Sequence, residues 1–218
     1  MPIEPNTLLL NLILGVAACV SAVTGFGYAL IAIPFLVLLV SPSVAVPVVL
    51  ISANPLAIVL IWGCYRQMSP RRILYLLVFA LIGMPLGVHT LASLPAATTQ
   101  TIIGCTTIAS ALILMVRSGE PFAKEGLVKA VAGLLSGLIG GVSGMTGPPV
   151  VLLGLKQKWE HKAFRADLIG YFFLLHASMV VAFGQVGLLS GEALILTAKG
   201  LPGVLVGVAL GLWLKRHV

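Results

Sequence analysis

The stretch Gly140–Leu155, GGVSGMTGPPVVLLGL, lies inside a long apolar part of the chain but does not suit a regular helix. Glycine leaves the backbone loose, and each of Pro148 and Pro149 lacks the N–H that a helix interior needs. We therefore predict that one helix ends near Val142 and that another begins near Pro148. Irregular backbone at membrane depth is tolerated where protein buries it or where it lines a cavity, so we expect a cavity at this break.

The apolar composition around that stretch predicts an all-α, polytopic helical membrane protein. The chain is 59% hydrophobic and 9% charged, with a mean hydropathy of +1.13, whereas a soluble domain carries about 25% charged residues. A membrane span needs roughly 20 apolar residues. The apolar runs that we take as spans, two of them interrupted, are Thr7–Val40, Val44–Tyr65, Ile73–Leu91, Thr99–Val116, Leu127–Leu155, Leu168–Phe183 and Ala193–Leu214.

The basic residues predict the orientation of these spans. If the loop at 66–72 is cytoplasmic and each interrupted run is a hairpin, every Lys and Arg except Lys199 falls in or beside a cytoplasmic loop, as the positive-inside rule requires. The N-terminus is then outside and the C-terminus inside a plasma (inner) membrane. The net charge of +7 is explained in the same way, and we expect no nucleic-acid partner.

Two similar halves are predicted, residues 1–117 and 118–218. Each opens with an interrupted run, because the segment 22–27 resembles 141–147, and each later carries Gly-x-Pro, at 83–85 and 200–202. The two halves have opposite orientation, which makes an inverted-topology repeat with one broken helix opening each half, a pattern typical of secondary transporters. The second half has no counterpart of 99–116, either because the chain is truncated or because that helix is dispensable.

The two breaks supply the candidate binding residues. Free N–H groups and the positive end of a half-helix suit an oxyanion, glycines let the backbone approach it, and hydroxyls add donors. The glycines have a simpler explanation in close helix packing, which we favour for Gly133-x3-Gly137-x3-Gly141. The candidates at the breaks are Thr24, Gly25, Gly27, Ser143, Gly144, Thr146, Gly147 and Pro148.

Two further candidates carry ionisable side chains inside spans. Lys199 either attracts an anion or extends its ammonium group to the membrane interface. His176 either relays protons or makes an ordinary hydrogen bond within a helix bundle. No metal-ligand spacing occurs in any span, and we expect neither a metal nor a cofactor.

The glycine-rich openings Gly25-Phe26-Gly27…Pro34 and Gly144-Met145-Thr146-Gly147-Pro148-Pro149, with the Gly-x-Pro spans, resemble the sulfite exporter TauE/SafE family over nearly the whole chain. The resemblance implies a permease for sulfite or an organosulfonate, often directed outward. We expect that anion and the lipid bilayer as partners, and a homo-oligomer stays open beside a monomer. The resemblance also implies a final helix that this chain lacks.

Other function classes fit the sequence less well. A channel needs rings of polar pore residues, which are sparse, and a structural membrane subunit without transport stays open as an alternative. An intramembrane enzyme needs paired carboxylates, a nucleophile with its base, or a metal cluster. Asp167 is the one aspartate in the chain, so we do not expect an enzyme.

Overall fold

The computed structural model describes residues 6–115 and 122–217, and the regular elements within them are all helical. The helices are α1 (Thr7–Thr24), α2 (Tyr28–Leu36), α3 (Pro42–Trp62), α4 (Pro70–Ser93), α5 (Ala96–Met115), α6 (Glu125–Ser143), α7 (Gly147–Lys156), α8 (His161–Gln185) and α9 (Gly191–Lys215), with a 3₁₀ turn at Tyr65–Gln67. Among the described residues, seven helices (all but α2 and α7) are long and apolar enough to cross a membrane. The predicted all-α, multi-pass membrane class is confirmed. The predicted boundary between the halves, at 117/118, lies outside the described residues.

Both apolar runs that contain a glycine cluster are divided into a long helix and a short one. The helix α6 ends at Ser143 and α7 begins at Gly147, each within one residue of the position expected from the sequence. Glycine is needed where the backbone is left-handed: Gly144 has φ 73°, and Gly27, which precedes α2, has φ 92°. A residue with a Cβ rarely adopts these angles, so the turns depend on glycine.

Small residues bring two pairs of helices into backbone contact. A Cβ built on Gly137 of α6 would collide with the carbonyl oxygen of Ala80 in α4, and one on Gly207 of α9 would collide with that of Gly15 in α1. Gly133 and Gly141 also face α4, so the close packing expected from the Gly133-x3-Gly137-x3-Gly141 spacing is confirmed. In a membrane, close packing of this kind is a main source of attraction between helices.

Asn11 of α1 forms hydrogen bonds with α9 next to Pro202. Pro202 has no N–H to continue the hydrogen-bond ladder of α9. In the same turn of α9, the Nδ2 of Asn11 donates to the carbonyl of Lys199 at 2.8 Å, and the Oδ1 of Asn11 accepts from the N–H of Gly203 at 2.6 Å. The polar side chain therefore satisfies backbone groups inside the bilayer, where water is scarce.

The basic residues gather at one end of the bundle. The start of α8 meets the start of α4, because Asp167 accepts a hydrogen bond from the N–H of Ser69 at 2.6 Å. The start of α8 also lies near the start of α6, because Trp159, two residues before α8, donates a hydrogen bond to Glu125 at 3.4 Å. Every described Lys and Arg except Lys199 lies at or near a helix terminus at this end: Arg66, Arg71, Arg72, Lys124, Lys129, Lys156, Lys158, Lys162, Arg165, Lys215 and Arg216.

We expect Gly137→Ala to lower the thermal unfolding temperature of the protein in detergent, because the added methyl group would separate α4 from α6. Overpacking of this kind typically costs about 1–3 kcal/mol. Gly104→Ala in α5 is the control, because a Cβ there meets no atom within 4 Å. Equal unfolding temperatures for the two variants would contradict the packing role of Gly137.

Candidate functional site

A cavity of ≈ 50 Å³ lies between the two breaks. A single water molecule needs about 10–15 Å³ on this measure, so a small ion has room. Its lining comes from the first break (Gly25, Phe26, Gly27, Tyr28, Ala29, Leu30), from the second (Met145, Thr146, Gly147, Pro148), and from α1, α3, α5 and α8 (Ser21, Ala53, Leu56, Ala57, Leu60, Leu114, Ile169, Phe172, His176). Two segments about 120 positions apart in the sequence therefore face one space.

The first break, between α1 and α2, places residues with unpaired backbone N–H groups at the wall of this cavity. The first backbone hydrogen bond at the start of α2 runs from the N–H of Ile31 to the carbonyl of Gly27 at 3.0 Å. The three N–H groups before it, those of Tyr28, Ala29 and Leu30, have no acceptor within the helix, and Gly27 has no side chain to cap them. All three residues line the cavity.

The second break differs from the first in the backbone donors that it offers. Pro148 and Pro149 occupy the first turn of α7 and have no N–H to offer. The N–H of Gly147 is left, together with side chains. The hydroxyl of Thr146 lies 3.0 Å from Nε2 of His176, and both side chains are buried.

A chain of buried hydrogen bonds holds Thr146 in place. The Tyr171 hydroxyl donates to Ser136 at 2.8 Å, and Ser136 donates to the carbonyl of Thr146 at 2.6 Å. The ring of His176 stacks on Phe172, with 5.8 Å between centroids and 10° between planes. The hydrogen-bonding role considered for His176 is therefore observed.

The first break is also tied to the middle of the bundle. Tyr28, the first residue of α2, makes a hydrogen bond of 2.7 Å with Ser52, which lies halfway along α3. Both side chains are buried. The start of α2 is therefore held at mid-depth in the helix bundle.

The candidate residues from the sequence divide into two groups. Gly25, Gly27, Thr146, Gly147, Pro148 and His176 line the cavity, whereas Thr24, Ser143, Gly144 and Lys199 do not. The hydroxyl of Thr24 donates to the carbonyl of Phe26 at 2.7 Å, and that of Ser143 to the carbonyl of Ile139 at 2.8 Å. These two hydroxyls close the local turns and do not point to a shared ligand.

Arg165 packs beside the site, and sequence reasoning missed it because it was assigned to a basic loop. Its guanidinium donates to the carbonyls of Ala22 at 2.6 Å and Val23 at 3.2 Å, in the last turn of α1. A Cβ on Gly25 would meet the Cγ of Arg165 at 2.5 Å, so the arginine stem lies directly against the first break. No local signal connects residues 142 positions apart.

The electrostatics of the cavity come from the backbone. None of the described residues that line it is Asp, Glu, Lys or Arg. The C-terminal end of α1 carries a partial negative charge that would repel an anion, and Arg165 neutralises it. Within the described ranges, no group of three or more His, Cys, Asp or Glu could hold a metal ion.

The comparisons with known proteins place the chain in a family. A family model described as sulfite exporter TauE/SafE matches residues 10–218. Neither the curated proteins nor the solved structures contain a significant match. The family is one of membrane transporters for sulfite and related anions, which agrees with the expectation of transport and not enzymatic activity. Because the match spans nearly the whole sequence, this chain belongs to the sulfite exporter TauE/SafE family.

Proposed function

We propose that this protein is a secondary transporter that moves a small sulfur-containing anion, sulfite or an organosulfonate, and binds it in the cavity between the two breaks. The observation that carries the proposal is the convergence of both breaks on one cavity, with the unpaired N–H groups of Tyr28, Ala29 and Leu30 at its wall. Backbone N–H groups at a helix start are established ligands for oxyanions.

Binding would use neutral donors. The oxyanion accepts hydrogen bonds from the start of α2, while Thr146 and His176 offer side-chain donors from the opposite wall. Arg165 lowers the electrostatic cost by neutralising the carbonyl end of α1. A site without a formal positive charge at its wall binds an anion and still releases it, as a transport cycle requires.

The packing supports an inverted repeat of residues 1–117 and 118–218. In one pair of close contacts, the opening helix α1 of the first half lies on α9 of the second. In the other, the opening helix α6 of the second half lies on α4 of the first. In the proposed repeat α1 corresponds to α6 and α4 corresponds to α9, so the α1–α9 contact and the α6–α4 contact are equivalent. In this arrangement the N-terminus faces outside, the basic end of the bundle faces the cytoplasm, and the halves move against each other around the central cavity.

Flux of labelled sulfite into liposomes that contain the purified protein, with and without an imposed pH gradient, tests the proposal. We expect protein-dependent, saturable flux. Ion-channel currents without saturation would support the channel alternative, and no flux for sulfite or any organosulfonate would contradict transport.

Thr146→Val should raise the KM for sulfite about tenfold, because one hydrogen bond contributes about 1 kcal/mol and a buried partner is left unpaired. Thr197→Val is the matched control, since Thr197 is buried, bonds to the carbonyl of Ala193 in its own helix and does not line the cavity. Liposome flux at graded sulfite concentrations measures both. An unchanged KM for the Thr146 variant would remove Thr146 from the binding site.

Arg165→Gln should also raise the KM for sulfite about tenfold, because the partial negative charge at the end of α1 is no longer neutralised. Arg165→Lys should retain more affinity. Lys199→Gln, which removes a positive charge from a span without touching the cavity lining, should leave the KM unchanged. The opposite result, a raised KM for the Lys199 variant alone, would favour an anion-attracting role for Lys199.

A further inference from the structure

A second opening lies at the basic end of the bundle and shares no residue with the central cavity. It is a cleft of ≈ 340 Å³ between the start of α4 and the start of α6, here called the basic cleft. Its lining residues are Ser69, Arg71, Arg72, Tyr75, Gly126 and Lys129. The proposed transport site does not account for it.

The charges in the basic cleft are opposite to those that the start of α4 prefers. The N-terminal end of a helix carries a partial positive charge and favours acidic residues. Instead, Arg71 and Arg72 occupy the first turn of α4, which has no acidic residue. At the start of α6, Glu125 occupies the first turn, and Lys129 one turn further on adds a positive side chain to the cleft. The positive end of α4 and the side chains of Arg71 and Arg72 therefore face one space, and an anion there would relieve their repulsion.

Two carboxylates neutralise part of this charge. Asp167 pairs with Arg72, whose guanidinium also lies 4.1 Å from the centroid of the Trp159 ring. Glu125 pairs with Lys129 at 2.7 Å. Arg71 is exposed, and no carboxylate of the described residues lies within salt-bridge distance of it. An excess of positive charge remains at the mouth of the basic cleft.

The surroundings of the basic cleft are those of a lipid–water interface. Tyr75 at its wall is 40% exposed, and next to the cleft or one turn beyond it α4 and α6 expose Leu74, Val78, Leu127 and Val131. All three tryptophans, Trp62, Trp159 and Trp213, lie at the same end of the bundle, as aromatic residues do at membrane interfaces. A positive pocket thus adjoins an apolar surface that faces the acyl chains.

From this combination we propose that the basic cleft binds the phosphate headgroup of an anionic phospholipid, with an acyl chain of the lipid along the exposed faces of α4 and α6. Basic pockets between membrane helices on the cytoplasmic side bind such headgroups in the same way. The apolar surface beside the cleft distinguishes a lipid from a soluble anion, since a soluble anion gains nothing from it.

The test is a count of bound lipids by native mass spectrometry. The purified full-length protein in neutral detergent is incubated with equal amounts of a phosphatidylglycerol and a phosphatidylcholine. We expect preferential retention of phosphatidylglycerol by the wild type. The double variant Arg71→Gln/Lys129→Gln should retain it on the order of tenfold less. Lys162→Gln/Arg216→Gln, the control with the same loss of charge at the same end of the bundle, should behave as the wild type.

Two results would overturn the proposal. One is equal retention of phosphatidylglycerol by both double variants. The other is displacement of the lipid by millimolar glycerol phosphate, which would make the basic cleft a site for soluble anions. Arg71→Glu is a second variant, because this exposed side chain makes no contact on which folding depends; it should lose phosphatidylglycerol while its unfolding temperature stays that of the wild type. Neither readout depends on sulfite transport.

Discussion

An N–H group that lacks an acceptor inside a bilayer is costly, and the centre of this protein is arranged around several of them. In hydrocarbon each unsatisfied backbone group costs several kcal/mol, so a helix cannot simply be interrupted there. The protein meets this constraint by packing α2 against α1, α3 and α5 and by placing the first residues of α2 at the wall of a small cavity. In the proposed function, the same unsatisfied donors that would destabilise a bundle facing lipid provide the hydrogen bonds to the oxyanion.

The position of that cavity depends on how closely the long helices approach one another. Glycines fix the distance of α6 from α4 and of α9 from α1, and Asn11 adds hydrogen bonds at the level of Pro202. Each opening helix is thus held by a helix of the other half of the chain, and the breaks that follow them are brought to the same space. The glycine contacts between helices bind no ligand themselves, but they determine where the cavity between the two breaks lies.

Local properties were predictable from the sequence, and distant pairings were not. Composition predicted the membrane class, and Gly and Pro predicted where α6 ends, because both act through the backbone of the residue itself. The missing N–H groups of Pro148 and Pro149 also follow from the sequence, and they leave the second break with fewer backbone donors than the first. The contact of Arg165 with Ala22 and that of Asn11 with Gly203 join residues 143 and 192 positions apart, and no periodicity encodes them. The inverted repeat and its opposite orientations stay predictions.

The bond between Arg165 and the end of α1 has a mechanical consequence. The guanidinium on α8 donates hydrogen bonds to two carbonyls at the end of α1, in a half-buried position. Any motion that slides α8 away from α1 must break both bonds together and leave those carbonyls bare. If the proposed transport cycle moves α8 relative to α1, these two hydrogen bonds must break, so Arg165 resists that displacement at the first break.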